Sequence, residues 1–80
     1  MIKDKICIIT GAASGIGLAI SETFSKEGAK VIMADINEEK LKEESLRIGA
    51  VYFKTDLSKR EDCKKLVEFT VERFSKVDVL

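Results

Sequence analysis

The feature that most constrains this chain is an alternation of two sequence periods. Short, nearly all-apolar, β-branched runs are separated by longer segments in which apolar residues recur at helical spacing. Residues 6–9 (ICII) read as a strand covered on both faces, as in a parallel sheet. In the next segment Ile16, Ala19, Ile20, Thr23 and Phe24 recur at i, i+3, i+4, i+7 and i+8, which predicts a helix buried along that stripe. Gly28 suits its left-handed C-terminal position.

The pattern then repeats. Residues 30–35 (KVIMAD) read as a second strand. Asn37 caps a second helix with Glu38 and Glu39 in its first turn, Leu41, Ser45 and Ile48 form its inner stripe, and Gly49 ends it. Residues 50–55 (AVYFKT) give a third strand. Ser58 followed by Glu61 reads as a capping box opening a third helix, with Cys63, Leu66, Val67, Thr70 and Phe74 on its buried face. Residues 77–80 (VDVL) open a fourth strand in which the sequence stops, so the chain is expected to be a truncated or partial form of a longer protein.

Strands joined by helix-length connections pair in parallel through right-handed crossovers. The expected fold is therefore α/β, a Rossmann-like doubly wound parallel sheet in the order βαβαβαβ. Its strand order is 3-2-1-4, with the first two helices on one face and the third on the other. The direction of winding reverses beside strand 1, and a crevice opens there.

The stretch TGAASGIG (residues 10–17) falls at that crevice. A glycine directly after a strand permits a tight turn, and missing side chains let a phosphate approach the amides of the first helical turn, whose positive dipole end favours an anion. Gly17 would let the helix pack closely on the strand. The bland alternative is an ordinary glycine-rich turn. A P-loop is excluded because no Gly-Lys-Ser/Thr ending follows. Asp35, 18 residues after Gly17, is placed to accept bonds from ribose hydroxyls, or else is a solvated strand-end carboxylate capping a turn.

Composition excludes other classes of partner. Fourteen basic residues balance fourteen acidic ones and are interspersed, so no face for nucleic acid or anionic lipid stands out. No apolar run approaches the roughly 20 residues of a membrane span. Cys7 and Cys63 are far apart and the chain has no histidine, which argues against a metal site or a disulfide framework. Both read as small core residues of a reduced, cytoplasmic protein.

The spacing of Gly11, Gly15 and Gly17 is GxxxGxG, not the GxGxxG of the common dinucleotide fingerprint. With Thr10 and Ile16 it resembles the TGxxxGIG motif of the short-chain dehydrogenases/reductases at every defined position. The resemblance continues through Asp35 and through TDLS (residues 55–58), and covers the N-terminal third of a typical member. It implies a dinucleotide-binding segment of an oxidoreductase that moves hydride between a nicotinamide and an alcohol or ketone substrate. The full-length protein is then expected to form homo-oligomers.

By that resemblance the cofactor-binding residues are Gly11, Ser14, Gly15, Ile16, Gly17, Asp35, Ile36, Asp56 and Leu57, with the Ile16 amide on the pyrophosphate while its side chain packs. Asp56 and Leu57 resemble the family's adenine clamp, although a plain Asx turn ahead of Ser58 fits the same residues. NAD is expected rather than NADP, because Asp35 repels a 2′-phosphate and neither Ser14 nor Ile36 neutralises one. The family's catalytic serine and Tyr-x-x-x-Lys pair have no counterpart here. The only tyrosine, Tyr52, is followed four residues later by Asp56 and reads as a strand residue packing its ring. Residues 1–80 are thus expected to be the N-terminal part of one NAD(P)-binding domain, inactive alone. The rival readings are a stand-alone, non-catalytic nucleotide-binding or interaction module and, less compatible with the glycine spacing, an S-adenosylmethionine-dependent methyltransferase.

Overall fold

The computed structural model describes residues 2–80. Its elements are β1 (Ile6–Thr10), α1 (Gly15–Lys26), β2 (Lys30–Asp35), α2 (Glu38–Ile48), β3 (Val51–Lys54) and α3 (Arg60–Phe74). The three strands form one parallel sheet in the order β1-β2-β3, with Thr10 opposite Ala34 and Ala34 opposite Phe53, so all three end at the same edge. Beyond α3 the chain returns to the free side of β1. There Val79 makes a parallel bridge to Cys7, and the Ile8 amide donates to the Val79 carbonyl at 2.9 Å. This is the expected 3-2-1-4 order, with the fourth strand represented by that bridge.

Alternation along the strands divides the core into two layers. Cys7, Val31, Met33 and Leu41 belong to one cluster, on which Leu18, Phe24, Ile48 and the half-buried Tyr52 pack; α1 and α2 cover this face. Ile6, Ile8, Ile32, Ala34 and Leu66 form the other, joined by Phe53, Phe69 and Phe74 under α3. Tyr52 packs from its strand as its sequence context suggests.

Helix ends whose chemistry rests on one residue fall where expected. The Asn37 side chain accepts from the Lys40 amide at 3.2 Å, Gly49 adopts φ 74°, and Gly28 lies just past the Glu27 cap of α1 with φ 92°. Across the helix layer, Arg47 of α2 bonds Glu44 at 2.7 Å and reaches Glu22 of α1 at 3.3 Å. This arginine holds both carboxyls below their ordinary range.

Three sequence expectations are corrected. First, α1 does not bury the Ile16–Ala19–Ile20–Thr23 stripe: Ile16 is 80% exposed, Ile20 38%, and Ala19 and Thr23 are exposed. It instead turns Ser21, fully buried, toward the sheet, together with the half-buried Leu18 and Phe24. The reason is distance. Small residues let the helix sit close, and their hydroxyls are satisfied, Ser21 within the helix on the Gly17 carbonyl at 2.8 Å and Ser25 across the helix layer on the Ile48 carbonyl of α2 at 3.0 Å. Second, Ser58 and Glu61 form no capping box. The cap position of α3 is Lys59, and Ser58 bonds Asp56 instead. Third, the inner face of α3 is Leu66, Phe69, Thr70 and Phe74. Phe69 stacks on Phe53 with ring centroids 4.6 Å apart, while Val67 is 42% exposed and Cys63 is only half-buried.

Candidate functional site

The turn between β1 and α1 is built by its glycines. Gly11 and Gly15 have φ of 62° and 58°, and a Cβ on either would meet nothing within 4 Å, so glycine is favoured at both by the dihedrals alone and leaves open space above the backbone. Gly17 is different. A Cβ there would overlap the Gly11 carbonyl oxygen and lie 2.7 Å from its carbon and 3.0 Å from the Thr10 oxygen. Contact this close is possible only without a side chain, and it seats the first turn of α1 on the end of β1.

The turn is also tied to β2. The Ala12 amide donates to the Ala34 carbonyl at 3.1 Å, and the Ala13 amide donates to Oδ2 of Asp35 at 3.1 Å. Ser14 follows in extended conformation as the N-terminal cap, its hydroxyl making no capping bond. The amides of Gly15, Ile16 and Gly17, which open α1, donate to no protein acceptor among the described residues. They leave a patch of unpaired N–H groups at the positive end of a 12-residue helix, next to open space.

Asp35 ends β2, half-buried. Its Oδ1 accepts the Asn37 amide at 3.0 Å, and its carbonyl accepts the Thr55 amide at 2.9 Å. Asp56 forms an Asx turn: its Oδ1 accepts both the amide and the hydroxyl of Ser58, at 3.0 and 2.6 Å. These two donors hold the Asp56 carboxyl below its ordinary range. Its own amide is held by Oδ2 of Asp62 from the first turn of α3, at 2.9 Å. The Asx turn left open by the sequence is therefore what forms, with Oδ2 of Asp56 still turned to no described donor.

Gly11, Asp35, Ile36, Asp56 and Leu57 line one cleft of ≈ 220 Å³, together with Thr55 and Ser58. Ile36 and Leu57 bring apolar surface to it, 58% and 50% exposed. Ile16 and Gly17 line a separate groove of ≈ 250 Å³ with Ile8, Ile9, Thr10, Ile20 and Leu80. Ser14 and Gly15 line neither and are exposed. The side chain of Ile16 does not pack as expected. Wider depressions of ≈ 360 Å³ at the strand beginnings and ≈ 660 Å³ along β3 include none of the candidate residues.

Ala13 and Asp62 were not singled out by sequence, and Thr55 and Ser58 were noted there without being counted among the cofactor-binding residues. The signal for Asp62 was present, an acidic residue in the first turn of α3, but Glu61 fitted the capping-box spacing better. No group of three or more potential metal ligands clusters among the described residues, and no helix among them is long and apolar enough to cross a membrane.

A parallel sheet wound in this order, with a glycine turn leaving its first strand and acidic residues leaving the next two, defines an α/β protein of Rossmann type. Comparison narrows the class. The family model of the short chain dehydrogenases matches residues 5–80, and the chain belongs to that family. It is 45% identical to an uncharacterized oxidoreductase of Listeria monocytogenes, over 99% of this chain and 34% of that protein. Among solved structures it superposes with a TM-score of 0.94 on a 3-ketoacyl-(acyl-carrier-protein) reductase from Brucella melitensis complexed with NADH. That match has 33% identity and covers 99% of this chain and 34% of the other. A short chain dehydrogenase/reductase from Burkholderia phymatum in complex with NAD gives a TM-score of 0.93 at 31% identity, covering 98% of this chain and 30% of the other. The chain thus spans about a third of the length of these relatives.

Proposed function

We propose that these 80 residues are the N-terminal, nucleotide-binding part of one NAD-dependent oxidoreductase domain, acting on an alcohol or ketone. The observation that carries this reading is the set of unpaired amides opening α1, on the glycine turn whose Gly11 lines a cleft with two carboxylates, Asp35 and Asp56. Those amides suit a pyrophosphate. Asp35 keeps acceptor capacity for ribose hydroxyls, since two protein amides occupy only half of the roughly four lone-pair sites of a carboxylate. Asp56 offers Oδ2 to an exocyclic amine, and the apolar rim of Ile36 and Leu57 suits an aromatic ring. The NADH and NAD complexes of the two superposed relatives support a nicotinamide dinucleotide.

When bound, the dinucleotide supplies or accepts the hydride. This chain's residues bind and orient its adenosine diphosphate half. No basic side chain lines the cleft, and the Asp35 carboxylate disfavours a 2′-phosphate there, so NAD is preferred to NADP. Tyr52 does not serve as an acid/base: it is half-buried on β3 within the core cluster under α1 and α2. The proton-transferring groups, the substrate pocket and any homo-oligomeric interface belong to the remaining two-thirds found in relatives, and the reduced cysteines fit a cytoplasmic setting.

Titration calorimetry with ADP and with 2′-phospho-ADP tests this reading. ADP is expected to bind at least tenfold more tightly, NAD to bind no better than ADP, and no turnover to accompany either. Tighter binding of the 2′-phosphorylated nucleotide, or hydride transfer by the 80-residue chain, would overturn it.

A further inference from the structure

Asp35 has work to do before any ribose arrives. Both its carboxylate oxygens accept main-chain amides, Oδ2 from Ala13 across 22 residues of sequence and Oδ1 from Asn37. Ala12 and Ala13 are buried, at 0% and 2% exposure, and consecutive amides of the turn are stitched to consecutive residues of β2, one through the Ala34 carbonyl and one through the Asp35 side chain. Immediately beyond this double stitch come Ser14 and the three unpaired amides of α1.

We infer that Asp35 is a positioning residue for the glycine turn: by holding the Ala13 amide it fixes where the first turn of α1 presents its N–H groups, independently of any bond to a ribose. The physical basis is that a nearly buried amide without an acceptor is costly, and no other described acceptor serves Ala13. Asparagine is not a conservative replacement. Two donors face the two carboxylate oxygens, and a carboxamide accepts at only one of them, so either Ala13 or Asn37 would face an NH₂ group. It follows that replacing Asp35 to admit a 2′-phosphate also loosens the pyrophosphate turn.

The structural half of this inference stands without a ligand. Its affinity half rests on the nucleotide-binding reading. Amide hydrogen exchange of the wild-type protein should show Ala13 exchanging at least about tenfold more slowly than Ser14 after correction for intrinsic rates. In Asp35→Ala, protection should fall about tenfold or more at Ala13 while core amides such as Ile32 keep theirs. Equal rates at Ala13 and Ser14 in the wild type would overturn the inference even if every variant failed to fold. So would unchanged Ala13 protection in Asp35→Ala.

The affinity half is read with ADP and 2′,3′-dideoxy-ADP, the latter having no ribose hydroxyl for Asp35 to bind. Asp35→Ala is expected to weaken dideoxy-ADP about fivefold or more, and Asp35→Asn to do the same, although both remove a negative charge from near an anionic ligand. Unchanged or tighter dideoxy-ADP binding in both variants, with ADP weakened, would reduce Asp35 to a ribose ligand and refute the positioning role. Failure of wild-type protein to bind ADP would instead refute the nucleotide reading, and leave the exchange result to decide the clamp.

Discussion

Replacing Gly17 by alanine sets two effects against each other, and the structure decides which wins. In a helix interior Gly→Ala is ordinarily stabilising by about 0.8–1 kcal/mol. Here the added methyl would sit 2.7 Å from the Gly11 carbonyl carbon, overlapping its oxygen, and 3.0 Å from the Thr10 oxygen. Ordinary contact begins near 3.4 Å, and the obstacle is backbone with no rotamer to adjust, so α1 must retreat by roughly 1 Å. Overpacking of this kind costs about 1–3 kcal/mol. The retreat also loosens Leu18, Ser21 and Phe24, which hold α1 on the sheet, so the upper half of that range applies. The net expectation is destabilisation by about 1–2 kcal/mol, a large share of the roughly 4–12 kcal/mol that 80 folded residues supply. Urea melts followed by circular dichroism would show it as a lower midpoint at unchanged slope, and a thermal melt as a loss of about 4–15 °C.

The neighbouring glycine supplies the control. A Cβ at Gly15 meets nothing, and its requirement is the positive φ alone. Asparagine tolerates that region better than most side chains. Gly15→Asn should therefore cost under about 1 kcal/mol, whereas Gly17→Asn should cost more than Gly17→Ala. If Gly17→Ala proved as stable as the wild type, the close seating of α1 on the Gly11 turn would not be a constraint and the reasoning would fail.

Two further outcomes follow from titratable groups. Cys7 is fully buried, and burial together with the Asp78 charge pushes its thiol above the ordinary range, while Cys63 is partly exposed. Ellman's reagent should label Cys63 in the native protein and Cys7 only at the rate of unfolding; prompt labelling of two thiols would contradict the packing. The Asp78 carboxyl is held below its ordinary range chiefly by the Ile6 amide, at 2.8 Å, which ties the returning chain to β1. A carboxyl lowered in the folded state contributes stability that is present above its unfolded pKa, about 4, and lost as pH falls through the folded value. Asp78→Ala should thus lower stability at neutral pH and flatten its decline below about pH 4, and an unaltered acid limb would exclude this role.

What could be read from the sequence was what a single residue's chemistry or an unbroken run decides. The bounds of β2 and the caps at Asn37 and Gly49 are of this kind, because only certain side chains accept a helical amide and glycine is favoured at a positive φ. The glycine spacing and Asp35 were legible for the same reason. The buried face of α1 was not, because the apolar period marks Ile16 and Ile20, whereas the buried residue of the helix is the polar Ser21, with Leu18 and Phe24 beside it. A helix whose first turn rests on a peptide carbonyl has no room for isoleucine on that side, so Gly17 and Ser21 sit against it while Ile16 and Ile20 line the open groove beside Ile8, Ile9 and Leu80. The capping box failed through competition. Ser58 had a carboxylate two residues back that accepts both its donors, and Asp62 reached past the helix start to the Asp56 amide. The Asp35–Ala13 bond lay beyond reach altogether, since a contact across 22 residues depends on the path of the turn and not on any local preference. The tight seating of α1 and that bond are nevertheless linked. Gly17 brings the helix onto the end of β1, and this places Ala13 where a carboxylate ending β2 meets its amide. A side chain at Gly17 should therefore disturb Asp35 as well, and Ala13 protection measured in Gly17→Ala would report that displacement directly.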